Sequence, residues 1–247
     1  MIERQLDIAL RDGACTTFVV HPERGGPHPV VLFFMDAPGI REELRDMARR
    51  LAAVGYFVAL PNMYYRSNVM ELGPLPADPQ APERARMMGL MRSLDIPMVM
   101  RDAADLLRWA QGESAARADV VGCVGYCMSG QYAINAAATF PDRVRAAASL
   151  YGTELVTGAD NSPHRVAANT RAELYFGMAE RDVFVPAEVE PQLRAALAAA
   201  KANAEVELYP GTGHGFAFPS RPAYNRDAAE RHWERLFALF RRRLNKE

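Results

Sequence analysis

A thiol, a carboxylate and an imidazole are the parts from which a nucleophile, its base and the base's orienter are built. Cys127 lies in Gly122-Cys123-Val124-Gly125-Tyr126-Cys127-Met128-Ser129-Gly130, where an apolar strand gives way to a helical pattern. The core of that run, Gly125-x-Cys127-x-Ser129, has the spacing of a nucleophile elbow, with cysteine in the usual serine position and serine in place of the second glycine. A nucleophile at so tight a strand-to-helix turn has a strained backbone, and the residues two before and two after it must be small. Gly125 and Ser129 meet that demand. The turn also leaves the next amide, that of Met128, at a helix N-terminus, where it can face an oxyanion and where a thiolate is favoured. Most free cysteines are small buried hydrophobes. Cys15 and Cys123 keep that reading, Cys123 because Val121 stands two residues before it.

A thiol with an ordinary pKa of about 8.5 is mostly protonated at neutral pH, so it needs a base. His214 sits in Tyr209-Pro210-Gly211-Thr212-Gly213-His214-Gly215-Phe216, read as a glycine-rich loop just after the last strand. His21, His28, His164 and His232 lack such a setting. Asp182, in Glu180-Arg181-Asp182-Val183-Phe184-Val185-Pro186, follows a strand ending near Met178. A turn acceptor is the commoner fate of an aspartate there, and Glu180 is its local rival for the orienting role. Order ties the three together: nucleophile, acid and histidine, each after a strand, is the chain order of the α/β-hydrolase triad.

The elements that must position them alternate. Gln5 to Leu10 and Cys15 to Val20 read as a hairpin about Asp12-Gly13. Val30 to Met35 is apolar without alternation, as a strand covered on both faces should be. Leu44, Met47, Ala48 and Leu51 mark one helix face; Ala103, Leu106, Leu107 and Ala110 mark another. Tyr56 to Leu60, Val120 to Tyr126, Ala147 to Tyr151, Ala172 to Met178 and Val206 to Tyr209 read as strands. Gln131 to Thr139 and Glu188 to Ala200 read as helices, and Trp233, Leu236, Phe237, Phe240 and Leu244 as the stripe of a closing one. This predicts an α/β fold over residues 1–247 as one domain: a mostly parallel central sheet, helices on both faces and an N-terminal antiparallel hairpin. Residues 62–97, rich in proline and methionine, read as an excursion over the active-site end of the sheet. Met87, Met88 and Met91 line an adaptable pocket or, the commoner outcome, simply pack.

Composition narrows the partners. The 247 residues carry 29 basic and 30 acidic side chains, a formal net charge of -1, so no positive field holds a nucleic acid. Val30 to Met35 is far short of the roughly 20 residues that span a bilayer, so no membrane partner is expected. The N-terminus lacks the apolar stretch of a secretory signal, and three cysteines suit a reducing compartment; a cytoplasmic location is expected. Arg241-Arg242-Arg243 reads as a solvated helix end. The oligomeric state is open between monomer and homodimer.

On the residues Gly125-Tyr126-Cys127-Met128-Ser129-Gly130, Asp182 with its Val-Pro sequel and Gly213-His214-Gly215-Phe216, the chain resembles the dienelactone hydrolase family of α/β-hydrolases. Asp36-Ala37-Pro38-Gly39, Leu60-Pro61-Asn62-Met63-Tyr64 and Asp102 extend the likeness. The resemblance implies a Cys127-His214-Asp182 triad that hydrolyses carboxylic esters or lactones through a thioester, with no metal or organic cofactor. It implies an oxyanion site between the amides of Met128 and Ala37. The family glutamate that takes part in thiol activation is here Asp36, one methylene shorter. Of the family's two carboxylate-binding arginines, Arg84 stands near the first and Phe218 replaces the second. Tyr64, Met88 and Met91 fall among the substrate-binding positions, so the implied substrate is an ester, lactone or thioester more apolar than dienelactone. Two other readings stand beside it: an inactive thiol redox sensor or interaction module on the same scaffold, and an acyltransferase.

Overall fold

The chain opens with the hairpin the sequence predicts. Strands β1 (Ile2–Leu10) and β2 (Gly13–His21) pair antiparallel, with Ile8 opposite Cys15 and Leu10 opposite Gly13. The computed structural model describes residues 1–76 and 78–245; residue 77, inside the expected 62–97 excursion, lies outside them. Two compact units make up the chain, Met1–Ala118 and Asp119 onward.

In the first unit the strand order is β1-β2-β4-β3, with β3 at His28–Phe34 and β4 at Phe57–Pro61. Strand β4 runs antiparallel to β2 and parallel to β3. Every residue of β3 is buried, which is why its sequence shows no alternation. Helix α1 (Glu42–Ala53) buries Leu44, Met47, Ala48 and Leu51 and packs on β2 and β4. The proline-rich segment is more regular than expected: it contains one 3-10 turn, Tyr65–Ser67, and helix α2 (Pro82–Arg92), started by a proline whose missing N–H costs nothing there. Helix α3 (Ile96–Ala110) is capped by Asp95, whose carboxylate accepts from the Met98 amide at 2.6 Å, and it buries Ala103, Leu106, Leu107 and Ala110 as predicted.

The second unit holds most of β5 (Ala116–Tyr126) and then β6 (Val144–Leu150), β7 (Glu173–Arg181) and β8 (Ala204–Gly213). They lie in sequence order and pair parallel, Gly125 beside Ser149, Leu150 beside Gly177 and Phe176 beside Val206. Helix α4 (Gly130–Thr139) presses its alanines onto β6. Short α5 (Pro163–Val166) and α6 (Val189–Ala199) follow, and α7 (Arg226–Leu244) closes the chain, capped by Asn225. Its buried stripe is Trp233, Leu236, Leu239, Phe240 and Leu244; Phe237 is half-buried. Strand β8 runs four residues past the expected Tyr209, so the glycines before His214 belong to the strand. Pro210 and Gly211 hide that continuation in the sequence, and the outermost place in the order is where a strand tolerates proline. Among the described residues no helix is long and apolar enough to cross a membrane.

Candidate active site

At the end of β5 the chain turns through Cys127–Ser129, a single 3-10 turn, into α4. Cys127 stands at φ +57°, a conformation that costs a non-glycine residue on the order of 1–3 kcal/mol. The surroundings hold it there. A Cβ on Gly125 would fall 2.0 Å from the carbonyl oxygen of Ser129, so strand and helix approach as closely as a glycine allows. The Thr153 amide donates to the Cys127 carbonyl at 3.1 Å. Gly130 carries a constraint the sequence reading did not assign: a Cβ there would meet Ser149 Oγ at 2.2 Å and Gly152 Cα at 2.7 Å. The two successive small residues Ser129 and Gly130 were its signal.

Cys127 is partly exposed, whereas Cys15 and Cys123 are buried. Burial pushes the Cys15 thiol up to about 12 and that of Cys123 higher still, so neither is reactive.

His214 follows β8 directly and Asp182 follows β7, both in the second unit with the elbow. Asp182 Oδ2 lies 2.8 Å from His214 Nδ1, and its other oxygen accepts the Phe184 amide at 2.9 Å. These side chains are only 11% and 4% exposed, His214 and Asp182 respectively. Glu180, the rival acid, is engaged elsewhere: its carboxylate accepts from the Gly211 amide at 2.9 Å.

The second ring nitrogen, Nε2, is buried short of a completed hydrogen bond, but the Cys127 sulfur is near enough to act on the ring. Such contacts commonly tighten only when substrate binds. Burial opposes a charge on His214, but attraction to Cys127 and the hydrogen bond with Asp182 outweigh it and raise the imidazole to about 10. Aromatic edges frame the ring. Tyr151, itself at φ +37°, packs at 5.1 Å between ring centroids and Phe184 at 4.7 Å. Phe184 is 58% exposed and its neighbour Val183 85%, an apolar tip beside the imidazole.

Phe218 is buried, its ring 5.4 Å from that of Tyr126 and 6.0 Å from that of Tyr151. The position where the resemblance expects an anion-binding arginine is therefore part of an aromatic core.

The remaining expected residues lie in the first unit. Asp36, almost fully buried, is gripped by both terminal nitrogens of Arg41 at 2.6 and 3.1 Å, and Arg41 also reaches Glu43 at 2.7 Å. Arg41 has no motif signal. Ala37 is held through its carbonyl by the buried hydroxyl of Tyr64 at 2.9 Å. The same loop is pressed against residues 70–72, where a Cβ on Gly39 would meet the Met70 carbonyl oxygen at 2.2 Å. Asp102 anchors the segment at its start, accepting from Tyr65 at 3.1 Å and from both terminal nitrogens of Arg66. Arg84 donates to the Pro76 carbonyl at 2.7 Å. Helix α2 buries Leu90, while Met88 is exposed and Met87 and Met91 are half-buried. Among the described residues no group of three or more His, Cys, Asp or Glu is placed to hold a metal ion.

The sequence model of the dienelactone hydrolase family matches residues 15–244. An Escherichia coli (strain K12) protein named "Putative carboxymethylenebutenolidase" is 30% identical over 223 residues, 87% of this chain and 78% of that protein. A Bradyrhizobium protein named "Probable 2-oxo-3-(5-oxofuran-2-ylidene)propanoate lactonase" is 26% identical over 240 residues, 96% of this chain and 92% of its own length. Among solved structures, one titled a "Putative Dienelactone Hydrolase" from Klebsiella pneumoniae superposes with a TM-score of 0.85 at 26% identity, covering 97% of this chain and 98% of that one.

Proposed function

The chain belongs to the dienelactone hydrolase family, α/β-hydrolases acting on lactones and esters, and from that premise we propose that Cys127, His214 and Asp182 are its catalytic triad. The observation that carries this is the 2.8 Å bond between Asp182 and His214 Nδ1, which leaves Nε2 toward a thiol on a strained, half-open turn. Asp182 holds the imidazole in one tautomer and supports its charge.

The Cys127 sulfur attacks the substrate carbonyl as thiolate, its proton taken up by His214 Nε2. A carbon–sulfur bond forms and the carbonyl oxygen becomes an oxyanion, to which the Met128 amide, in the 3-10 turn that leads into α4, is the natural donor. As the tetrahedral centre collapses, the carbon–oxygen bond to the leaving group breaks and Nε2 gives that oxygen its proton. His214, now neutral, takes a proton from water; the hydroxide adds to the thioester and the carbon–sulfur bond breaks. The carboxylic product leaves, and sulfur and imidazole return to their starting states. Asp36, the carboxylate expected to take part in thiol activation, is paired through both oxygens with Arg41 and would act on the thiol by exchanging that partner.

Phe184 and Val183, exposed beside the imidazole, favour substrates with an apolar group near the scissile bond. The lactonase name of the Bradyrhizobium relative supports lactones as one class. The test is mass spectrometry of the chain after brief exposure to a panel of lactones and short-chain chromogenic esters. An acyl adduct on Cys127 and its loss in Cys127→Ala support the reading; equal, slow turnover by wild type and Cys127→Ala ends it.

A further inference from the structure

His232, on α7, is wholly buried and has no part in the proposed proton transfers. Its Nδ1 is hydrogen-bonded to the backbone carbonyl of Ala229. A carbonyl only accepts, so Nδ1 carries a hydrogen, and in the neutral ring Nε2 then presents a lone pair. The hydroxyl of Tyr126, 106 residues away in sequence, lies 3.1 Å from Nε2 and is therefore the donor. Tyr126 directly precedes Cys127 and is buried, its ring set against those of Tyr151 and Phe218. Cys127 holds a left-handed conformation that persists only where its neighbours over-determine it. The Tyr126–His232 bond runs from the closing helix to the residue directly before Cys127.

We propose that His232 is a positioning residue: by accepting the Tyr126 hydroxyl, it sets the direction in which the Cys127 sulfur leaves the elbow. The proposal rests on the reading of Cys127 as nucleophile. A buried histidine serving packing alone is the alternative, and it makes different predictions.

Tyr126→Phe keeps the ring and removes the donor; His232→Leu removes the acceptor, and His232→Gln restores one. For the full chain, kcat and KM on a short-chain chromogenic ester, the rate of Cys127 alkylation by iodoacetamide and the melting temperature are measured together. Tyr126→Phe and His232→Leu are expected to lower kcat about tenfold with KM within about twofold, as misplacement of a reacting atom does. Alkylation changes in the same two variants, His232→Gln recovers most of both losses, and the double variant is no worse than either single one, because one bond is shared. A fall in melting temperature with kcat and alkylation unchanged overturns the proposal, as do losses that add in the double variant. Should His232→Leu fail to fold, Tyr126→Phe carries the same comparison. If no ester or lactone is turned over by wild type while alkylation still follows this pattern, the hydrolase reading fails and the positioning role stands.

Discussion

His214 Nδ1 and Asp182 Oδ2 meet at 2.8 Å across 32 residues of chain, and the second carboxylate oxygen is already committed to the Phe184 amide. The carboxylate thus cannot swing without losing a bond to its own loop. Asp182→Asn keeps the shape but offers an amide hydrogen where Nδ1 must donate, which turns the ring to the wrong tautomer. Its kcat/KM is expected to fall about 10⁴-fold with a cooperative melting transition retained. Glu180→Gln is the control: its oxygen still accepts from Gly211, and kcat/KM should match wild type.

The raised imidazole gives a direction on the pH axis. A histidine held at about 10 keeps its proton below that value and loses it above, so in the proposed mechanism the proton given to the leaving group disappears as pH rises through about 10. The alkaline limb of kcat/KM should fall there. In Cys127→Ala the burial that opposes charge remains while the attraction of the sulfur vanishes, so the imidazole must titrate lower. NMR of the His214 ring measures both proteins; identical titrations would show that sulfur does not act on the ring.

Gly125 has no room for a methyl group. The obstructing atom is a backbone oxygen 2.0 Å from the site of a Cβ, so relief requires moving the elbow. Gly125→Ala is expected to lose activity and about 3 kcal/mol of unfolding free energy in urea, the upper range for overpacking.

The grip of Arg41 on Asp36 has its own signature. Removing the guanidinium leaves a nearly buried carboxylate without its bidentate partner, so Arg41→Met should cost about 3 kcal/mol in urea unfolding. Asp36→Asn should cost less, because the amide oxygen still accepts from Arg41.

How much of this was legible in the sequence follows from how local each signal is. The elbow was readable because its constraint, small residues two either side of Cys127, is written within five positions. The places of Asp182 and His214 after strands were readable, whereas the bond between them and the bond of Glu180 to Gly211 were not. Helix faces of α1 and α3 came through because burial repeats every three or four residues. The continuation of β8 did not, since Pro210 and two glycines erase alternation although the backbone remains paired to β7. Phe218 could be recognised as a substitution but not as core, because the rings enclosing it are set by tertiary packing. The Tyr126–His232 bond spans 106 residues and leaves no pattern to read.

The burial of Cys15 and Cys123 bears on quantitation as much as on stability. A maleimide dye arriving from solvent meets one partly exposed cysteine, Cys127, in the native protein, so moles of dye per mole of chain count the folded molecules in a preparation. Denaturant uncovers the other two of the three cysteines, and a stoichiometry climbing from one toward three reports loss of the native interior in the same reading.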